Sequence, residues 1–448
     1  MSPMSRHLSA ALLTACVWGS GGGAWAAEAA PVAVKCPPTV PDTATCFGGV
    51  DSAGAHYVLA QPKDWNGTLV LHAHGGPFLG APTAERAMED LVRWSIFVKA
   101  GYAYAGSSFR QGGVAARAAA EDTERLRGIY RAHVALPTRT LLHGQSWGAS
   151  VAVKAAEMFT AATLGTQPYD AVLLSAGVLG GGTRSYDFRT DLRAVYQHLC
   201  QNHPRPSEPQ YPLGLGLPAG ASMTAADLNS RVTECLGPEA KDAPRTAEQR
   251  AKAETLAKVI RIPENQIRAH LRWATFHFQD ISRQRTGGGN PFGNVGVRYT
   301  GSGDDEALNA AVPRFSADPE AYRRLAADMD PTGRIPVPVL SVKWIGDTTA
   351  FVELDSHFKS VMEAGGSGER LVQTFTTQAV SHSYISDPTY SALAAALLKW
   401  AAGGPKPTPQ TVADDCRALE AQFGPGCSFA PGYVPAALSS RVPERQRP

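Results

Sequence analysis

The sequence predicts an α/β fold built on a doubly wound, mostly parallel sheet with a helical insertion. Between residues 57 and 177, short apolar runs alternate with segments of helical periodicity. The alternation stops near residue 178 and resumes at Pro336, and the residues between are mostly helical in pattern. Strands that alternate with helices predict parallel pairing, and ligands of such sheets bind at the carboxyl ends of the strands.

The N-terminal segment 1–26 has the pattern of a secretory signal peptide. Arg6 precedes the apolar run "LSAALLTACVW", and small residues lead to a predicted cleavage site after Ala26. The sequence "LTAC" allows an alternative, a lipoprotein anchored through Cys16. No other segment approaches the roughly 20 apolar residues of a membrane span. We therefore expect an exported protein, periplasmic or secreted.

Residues 27–56 are predicted to be an N-terminal linker and extension, and residues 57–180 the first part of the α/β core. The predicted strands of this part are "GTLVLHAHGG", "YAYAGSS", "RTLLHG" and "DAVLLSAG". Its predicted helices are "AERAMEDLVRWSIFVKAG", "EDTERLRGIYRAHVAL" and "ASVAVKAAEMF".

Residues 181–335 are predicted to form a helical cap insertion, since strand and helix patterns continue on both sides of them. Four helical patterns stand out: "FRTDLRAVYQHLC", "TAADLNSRVTEC", "TAEQRAKAETLAKVI" and "ENQIRAHLRWATFHF". The core resumes over 336–403, with predicted strands 337–345 and 371–377 and predicted helices 352–364 and 388–402. Residues 404–448 form a C-terminal extension, whose basic end "SSRVPERQRP" is predicted to be a solvated tail.

Six cysteines remain once the signal segment is removed. An even number in an exported chain indicates disulfides, although free buried thiols are the alternative for some of them. Because the cysteines fall into sequence-local pairs, we predict the bridges Cys36–Cys46, Cys200–Cys235 and Cys416–Cys427. No zinc-binding spacing is present.

The composition and charge of the chain imply neither a nucleic-acid nor an acidic partner. The chain has 448 residues, a formal net charge of +2, 44% hydrophobic and 18% charged residues, as an ordinary globular protein has. Its arginines are scattered, so no nucleic-acid partner is predicted. The sequence does not predict an oligomeric state.

A short motif suggests nucleophilic chemistry. Gly144, Ser146 and Gly148 form Gly-x-Ser-x-Gly between a predicted strand and a predicted helix. This context is that of a nucleophile elbow, in which glycines permit a strained turn that exposes the serine oxygen. On this motif the chain resembles the α/β-hydrolase fold serine hydrolases. The resemblance implies hydrolysis without a metal or cofactor. The alternative interpretation of the Gly-x-Ser-x-Gly motif is an ordinary turn.

The resemblance also implies a chain order of serine, acid and histidine. Asp347 follows the strand "VPVLSVKW" and is the predicted acid, with a helix N-cap as its alternative role. His382 follows the strand "LVQTFTT" in a loop and is the predicted base. His357 fits worse because it lies within a helical pattern. Members of the family often have glycine before the histidine, whereas this chain has Ser381.

Two backbone N–H groups are predicted to bind a developing oxyanion. One is that of Trp147, directly after the nucleophile. The other is that of Gly76 in "HGGP", because Pro77 has no N–H. A plain Gly-Gly-Pro turn is the alternative for this stretch.

The pairing of "HGGP" with "GQSWG" locally resembles the proline iminopeptidase branch, whose members remove N-terminal residues from peptides. This chain departs from that branch at Phe78 and Gln145. An aminopeptidase needs acidic cap residues to hold a free amine, and the candidates are Asp304, Asp305 and Glu306.

The predicted substrate is a small-molecule ester or peptide. Arg110, Tyr186 and Trp273 are predicted to contact it, with a structural ion pair as the alternative role of Arg110 and core packing that of the aromatic residues. The sequence thus predicts an exported serine hydrolase that cleaves carboxylic esters through an acyl-enzyme. The alternatives are an aminopeptidase of the proline iminopeptidase type and, more remotely, a non-catalytic binding protein on the same fold.

Overall fold

The computed structural model describes residues 27–240 and 243–448. The predicted signal peptide 1–26, its cleavage site and the alternative anchor Cys16 lie outside the described residues. Within the described chain, no helix is both long and apolar enough to cross a membrane.

The described chain contains one sheet of nine strands, in the spatial order β1-β2-β3-β5-β4-β6-β7-β8-β9. Their bounds are β1 Val32–Val34, β2 Thr45–Val50, β3 His56–Gln61, β4 Thr68–Ala73, β5 Ala103–Ser107, β6 Arg139–Gln145, β7 Ala171–Ser175, β8 Val339–Trp344 and β9 Leu371–Thr376. In this spatial order, the neighbouring strands β5, β4, β6, β7, β8 and β9 pair in parallel. At one edge, β1 pairs with β2, β2 with β3 and β3 with β5 in antiparallel orientation. This mostly parallel sheet with crossover helices confirms the predicted α/β-hydrolase fold.

Helices cover both faces of the sheet. Their bounds are α1 Ala84–Arg93, α2 Ile96–Lys99, α3 Ala116–His133, α4 Trp147–Met158, α5 Ala161–Leu164, α6 Asp187–Cys200, α7 Ala225–Leu236, α8 Ala247–Ile260, α9 Ile267–Asp280, α10 Asp305–Ala311, α11 Pro319–Met329, α12 Glu353–Ala364, α13 Asp387–Ala401 and α14 Pro409–Phe423. A π-helical turn, Ile281–Arg285, follows α9.

The two sides of β4 pack against different helices because side chains alternate along a strand. Leu69 and Leu71 join a buried cluster with residues of α3 and α4, and Val70 joins another with residues of α1, α2 and α13. All six residues of β4 are buried. The nearly continuous apolar runs of the sequence follow from this double coverage.

Helices α6 to α11 lie between β7 and β8 in the chain and share the core of the sheet domain. Leu192, Leu256 and Phe278 belong to the same buried cluster as Leu71 of β4. Thr224 and Thr246 cap α7 and α8 through capping boxes, so these helices begin where their threonines predict. The insertion therefore does not have a separate core.

The secondary structure differs from the sequence prediction in several places. Segment 84–101 is not one helix, because the chain turns at Trp94 and Ser95 between α1 and α2. This turn buries the Trp94 ring against His143 and Tyr390, at centroid distances of 4.4 and 4.6 Å. Strands β1 and β2 also lie within 27–56, where sequence patterns predicted only a linker and extension.

The prediction of a solvated basic tail is wrong. The side chain of Arg445 is only 2% exposed and forms ion pairs with Asp187 and Asp191 of α6, at 3.4 and 2.7 Å. Arg447 pairs with Asp187 at 2.6 Å. The density of basic residues predicted that the tail is solvated. Instead, the buried carboxylates of Asp187 and Asp191 bind its arginines, which favours packing of the tail against the insertion.

The structure forms the three predicted disulfides, Cys36–Cys46, Cys200–Cys235 and Cys416–Cys427. The second joins α6 to α7 in the insertion, and the third joins α14 to the segment that follows it. The C-terminal extension is therefore tied by a disulfide, as predicted.

Candidate active site

Ser146 lies in a sharp turn between the end of β6 and the start of α4. Its φ of 55° and ψ of −120° are a strained conformation for a residue with a side chain. A Cβ on Gly148 would clash with the carbonyl oxygens of Ala73 and His74, and one on Gly144 would clash with the Gly148 carbonyl. Both glycines are therefore required by close backbone approach, as in a nucleophile elbow.

The structure brings Ser146, His382 and Asp347 together. The Nε2 of His382 lies 2.8 Å from the Ser146 hydroxyl oxygen, and its Nδ1 lies 2.7 Å from Oδ2 of Asp347. Asp347 and Ser146 are buried, and the His382 side chain is 24% exposed. The three side chains form one hydrogen-bonded chain although His382 is 236 residues from Ser146.

Backbone groups orient the carboxylate of Asp347. Its Oδ1 accepts hydrogen bonds from the N–H groups of Thr349 and Ala350, at 2.8 and 3.0 Å, which leaves Oδ2 for His382. Because α12 begins only at Glu353, Asp347 does not cap that helix. Behind it, the buried side chains of Lys343 and Asp355 form an ion pair.

His382 lies in the loop between β9 and α13. Ser381 and Tyr384 exchange backbone hydrogen bonds of 3.0 and 3.2 Å, which closes a tight turn around the histidine. Ser381, the residue directly before the histidine, is thus part of this turn. His357, the other downstream candidate, lies on α12 and lines a different cavity.

The two residues predicted to donate to an oxyanion line the same cavity as Ser146. Trp147 is the first residue of α4, so its N–H has no acceptor within the helix. Gly76 has a φ of +69°, and its N–H donates no hydrogen bond to any described residue. Both Gly76 and Trp147 line the cavity that contains Ser146.

The loop that carries Gly76 is held on both sides. Arg86 of α1 donates to the Gly75 carbonyl oxygen at 3.0 Å. His277 of α9 donates through Nε2 to the Pro77 carbonyl oxygen at 2.8 Å, which links the insertion to the loop. Burial lowers the pKa of His277 to about 4, so the imidazole is neutral at pH 7.

The cavity next to Ser146 has a volume of about 280 Å³. The insertion contributes Tyr186, Arg189 and Trp273 to its wall. The rings of Tyr186 and Trp273 lie 4.2 Å apart, centroid to centroid, so both residues combine packing with cavity lining.

Two groups of predicted binding residues lie elsewhere. Arg110 does not line this cavity, because its guanidinium pairs with Glu121 and with Asp122, the latter at 3.1 Å. The ion-pair alternative is therefore the one that the structure favours for Arg110. Asp304 caps α10 through the Ala307 N–H, and Asp305 binds Ser302. Asp305 and Glu306 line another cavity.

Arg86, Arg189 and His277 were not among the site residues predicted from the sequence. They fix the Gly76 loop or line the cavity, but in the sequence they are ordinary polar residues of amphipathic helices. Arg189 has no carboxylate partner among the described residues, unlike the paired arginines. This difference is visible only in the tertiary structure. No group of three or more potential metal-ligating side chains occurs in the part of the chain that the structure describes.

Comparisons with known proteins find no matching family model and no matching curated protein. Among solved structures, an esterase from Aspergillus oryzae is similar with a TM-score of 0.44 and 12% identity, over 81% of this chain and 80% of that chain. The rice cell wall degrading esterase LipA from Xanthomonas oryzae has a TM-score of 0.40 and 11% identity, over 85% and 89%. An esterase of the bacterial hormone-sensitive lipase family has a TM-score of 0.35 and 14% identity, over 86% of both chains.

Proposed function

We propose that this protein is a serine hydrolase that cleaves carboxylic esters through an acyl-enzyme intermediate. The observation that carries the proposal is the hydrogen-bonded chain from Ser146 through His382 to Asp347, with distances of 2.8 and 2.7 Å. A serine at the tip of an elbow, a histidine in reach and a buried carboxylate behind it are what this chemistry needs.

In the proposed mechanism, the Ser146 oxygen attacks the ester carbonyl carbon while His382 Nε2 takes the hydroxyl proton. The N–H groups of Gly76 and Trp147 stabilise the negative charge that develops on the carbonyl oxygen. The bond to the alcohol breaks as His382 returns the proton to the leaving oxygen. Water, deprotonated by His382, then attacks the carbonyl carbon of the acyl-serine. The bond from this carbon to the Ser146 oxygen breaks as His382 returns the proton to that oxygen, and the carboxylic acid leaves. Asp347 stabilises the imidazolium in both halves.

The charges around the cavity favour ester cleavage over the removal of N-terminal residues. An aminopeptidase must hold an ammonium group, but Arg189 brings an unneutralised cation to the cavity wall. Glu89, also in the wall, is already paired with Arg86 and Arg93. The acidic candidates Asp304, Asp305 and Glu306 are absent from this cavity. A peptidase therefore remains only the second candidate.

We further propose that the protein is exported. Three disulfides favour an oxidising compartment, because cytosolic proteins keep their thiols reduced. Cleavage after Ala26 would release the chain to the periplasm or medium, whereas processing at Cys16 would leave it lipid-anchored.

Replacement of the nucleophile tests the proposed function. Ser146→Ala should lower kcat on 4-nitrophenyl acetate by about 10⁵- to 10⁶-fold, since the acyl-enzyme cannot form. The matched control is Ser150→Ala, one turn further along α4, where the hydroxyl donates to the Val178 carbonyl; this variant should keep its activity. Hydrolysis by Ser146→Ala at the wild-type rate would contradict the proposal.

The same preparations separate the two candidate functions. An esterase should turn over aryl esters and leave peptide anilides with free N-termini intact. Faster cleavage of the anilides, lost when the amine is acetylated, would instead identify a peptidase.

A further inference from the structure

Arg189 is a buried cation in the wall of the cavity that contains Ser146 and His382. The residue is 5% exposed. No carboxylate among the described residues pairs with it. An unpaired buried charge is costly, so a protein that keeps one next to its reactive serine has a use for it.

The surroundings of Arg189 leave its terminal nitrogens available. Its Nε donates to Nδ1 of His270 at 3.4 Å, whereas the two terminal nitrogens have no acceptor among the described residues. The guanidinium carbon lies 4.3 Å from the Trp273 ring centroid and 4.7 Å from that of Phe188. These ring faces support the cation without neutralising it.

Arg189 stays charged at neutral pH. Burial lowers its pKa to about 10, which is still well above 7. His270 is neutral there, because burial and then the Arg189 charge hold its pKa well below the usual range. The cation is thus not balanced by its hydrogen-bond partner.

The other arginines that line the cavity have carboxylate partners. Arg86 pairs with Asp90 at 2.8 Å, and Arg93 pairs with the same carboxylate at 2.8 Å. Glu89 adds a second partner to each of them. Among the described residues that line the cavity, Arg189 is therefore the arginine that has no carboxylate partner.

We propose that Arg189 is a specificity residue that binds a carboxylate carried by the substrate, so that the preferred substrates are esters with a free carboxylate group. This inference rests on the proposed function. A guanidinium with two free terminal nitrogens matches a carboxylate in a bidentate arrangement. Because the cavity measures only about 280 Å³, the carboxylate and the reacting ester belong to the same small molecule.

Matched substrates test the preference directly. For a charge on the alcohol part, 4-acetoxybenzoate is compared with 4-acetoxybenzamide, which has nearly the same shape but no charge. For a charge on the acyl part, monomethyl adipate is compared with its monoamide. The wild-type kcat/KM should favour the carboxylate in one of the two pairs by about 10- to 100-fold, the value of a charge-assisted hydrogen-bonded pair. The favoured pair tells which half of the ester faces Arg189.

Three variants identify the origin of the preference. Arg189→Met should reduce the carboxylate-to-amide ratio about 10- to 100-fold, mainly through KM, and Arg189→Lys should retain part of it. Arg193→Met is the matched control, since Arg193 is also buried, one turn along α6, but donates to the His203 and Gly216 carbonyls. It should leave the ratio unchanged, whatever its effect on stability.

The outcomes separate this inference from the proposed function. A wild-type protein that a fluorophosphonate labels but that prefers neither carboxylate overturns the role of Arg189 and leaves the hydrolase standing. An equal loss on charged and neutral esters in Arg189→Met also overturns it, because a structural role predicts that result. Absence of both labelling and ester hydrolysis overturns the two proposals together. If Arg189→Met does not fold, the wild-type preference and Arg189→Lys still decide the question.

Discussion

At the scale of residues, His277 connects the insertion to the loop that carries Gly76. Its ring stacks on Trp273 at a centroid distance of 4.7 Å, and its Nε2 donates to the Pro77 carbonyl oxygen. Because its pKa is about 4, the imidazole of His277 is neutral at pH 7, and its one N–H proton lies on the donating Nε2. The position of the Gly76 N–H therefore depends on an uncharged histidine.

This state of His277 makes the stability of the protein depend on pH. The unfolded chain protonates His277 below about pH 6.5, but the folded protein does so only near pH 4, so unfolding takes up a proton between these values. The wild type therefore loses the stability that the neutral His277 contributes as the pH falls from about 6.5 towards 4. His277→Gln has no such group, yet its amide can still donate to Pro77.

We therefore expect the stability advantage of the wild type over His277→Gln to narrow by about 1–2 kcal/mol between pH 7 and pH 5. Urea denaturation of both proteins at the two pH values measures the difference. A gap that stays constant or widens at pH 5 would show that His277 is not held neutral.

At the scale of elements, the end of the C-terminal extension fastens the insertion. Arg445 reaches two carboxylates of α6 and the Gly293 carbonyl oxygen, and the Gln446 N–H donates to Val295 at 2.9 Å. Burial raises the pKa of Asp191, and the Arg445 charge opposes this shift. Removal of Arg445 would leave the carboxyl group of Asp191 buried without its cation.

Arg445→Met should accordingly lower the free energy of unfolding by about 3–5 kcal/mol, the usual cost of removing one partner of a buried pair. Arg417→Met is the control, because Arg417 and Asp414 form an exposed pair on α14 and contribute about 0–1 kcal/mol. Denaturation midpoints of both variants check the comparison. Equal effects would mean that the tail is solvated, as its charge pattern first predicted.

Much of the element order was predictable from the sequence, and the exceptions have physical causes. Helix α13 spans Asp387–Ala401 against a predicted 388–402, because its apolar periodicity is local information. Strand β1 was missed because it is three exposed residues whose pairing with β2 is tertiary. The break at Trp94 depends on a ring cluster drawn from distant parts of the chain.

At the scale of the whole molecule, the sheet domain and the insertion share one buried hydrophobic cluster. The Cys200–Cys235 bridge spans 35 residues within the insertion, and Cys416–Cys427 spans 11 within the C-terminal extension. A longer loop has more conformational entropy in the unfolded chain, so its closure stabilises the fold more.

Replacement of both Cys200 and Cys235 by alanine should cost about 4 kcal/mol, compared with about 3 kcal/mol for the Cys416 and Cys427 pair. Thermal denaturation of the two double variants under oxidising conditions measures this order. Dithiothreitol should destabilise the wild type and abolish the difference in stability between the two double variants. A wild type that is insensitive to reduction would contradict both the disulfides and the proposed export.

The candidate site was predictable to the extent that motifs define it. Ser146 was predicted from its motif, and Asp347 and His382 from the chain order that the resemblance implies together with their places after strands. The structure brings the three residues within hydrogen-bond distance. Arg110 and Arg189 illustrate the limit, because whether an arginine pairs or faces a cavity depends on contacts between distant segments. Of the two, only Arg189 lines the cavity with Ser146.

Covalent labelling followed by peptide mapping tests the assignment of the nucleophile most directly. A fluorophosphonate should add its phosphonyl group to one wild-type peptide, the one that contains Ser146, and should leave Ser146→Ala unlabelled. A label on another serine, or equal labelling of the Ser146→Ala variant, would contradict the proposed mechanism.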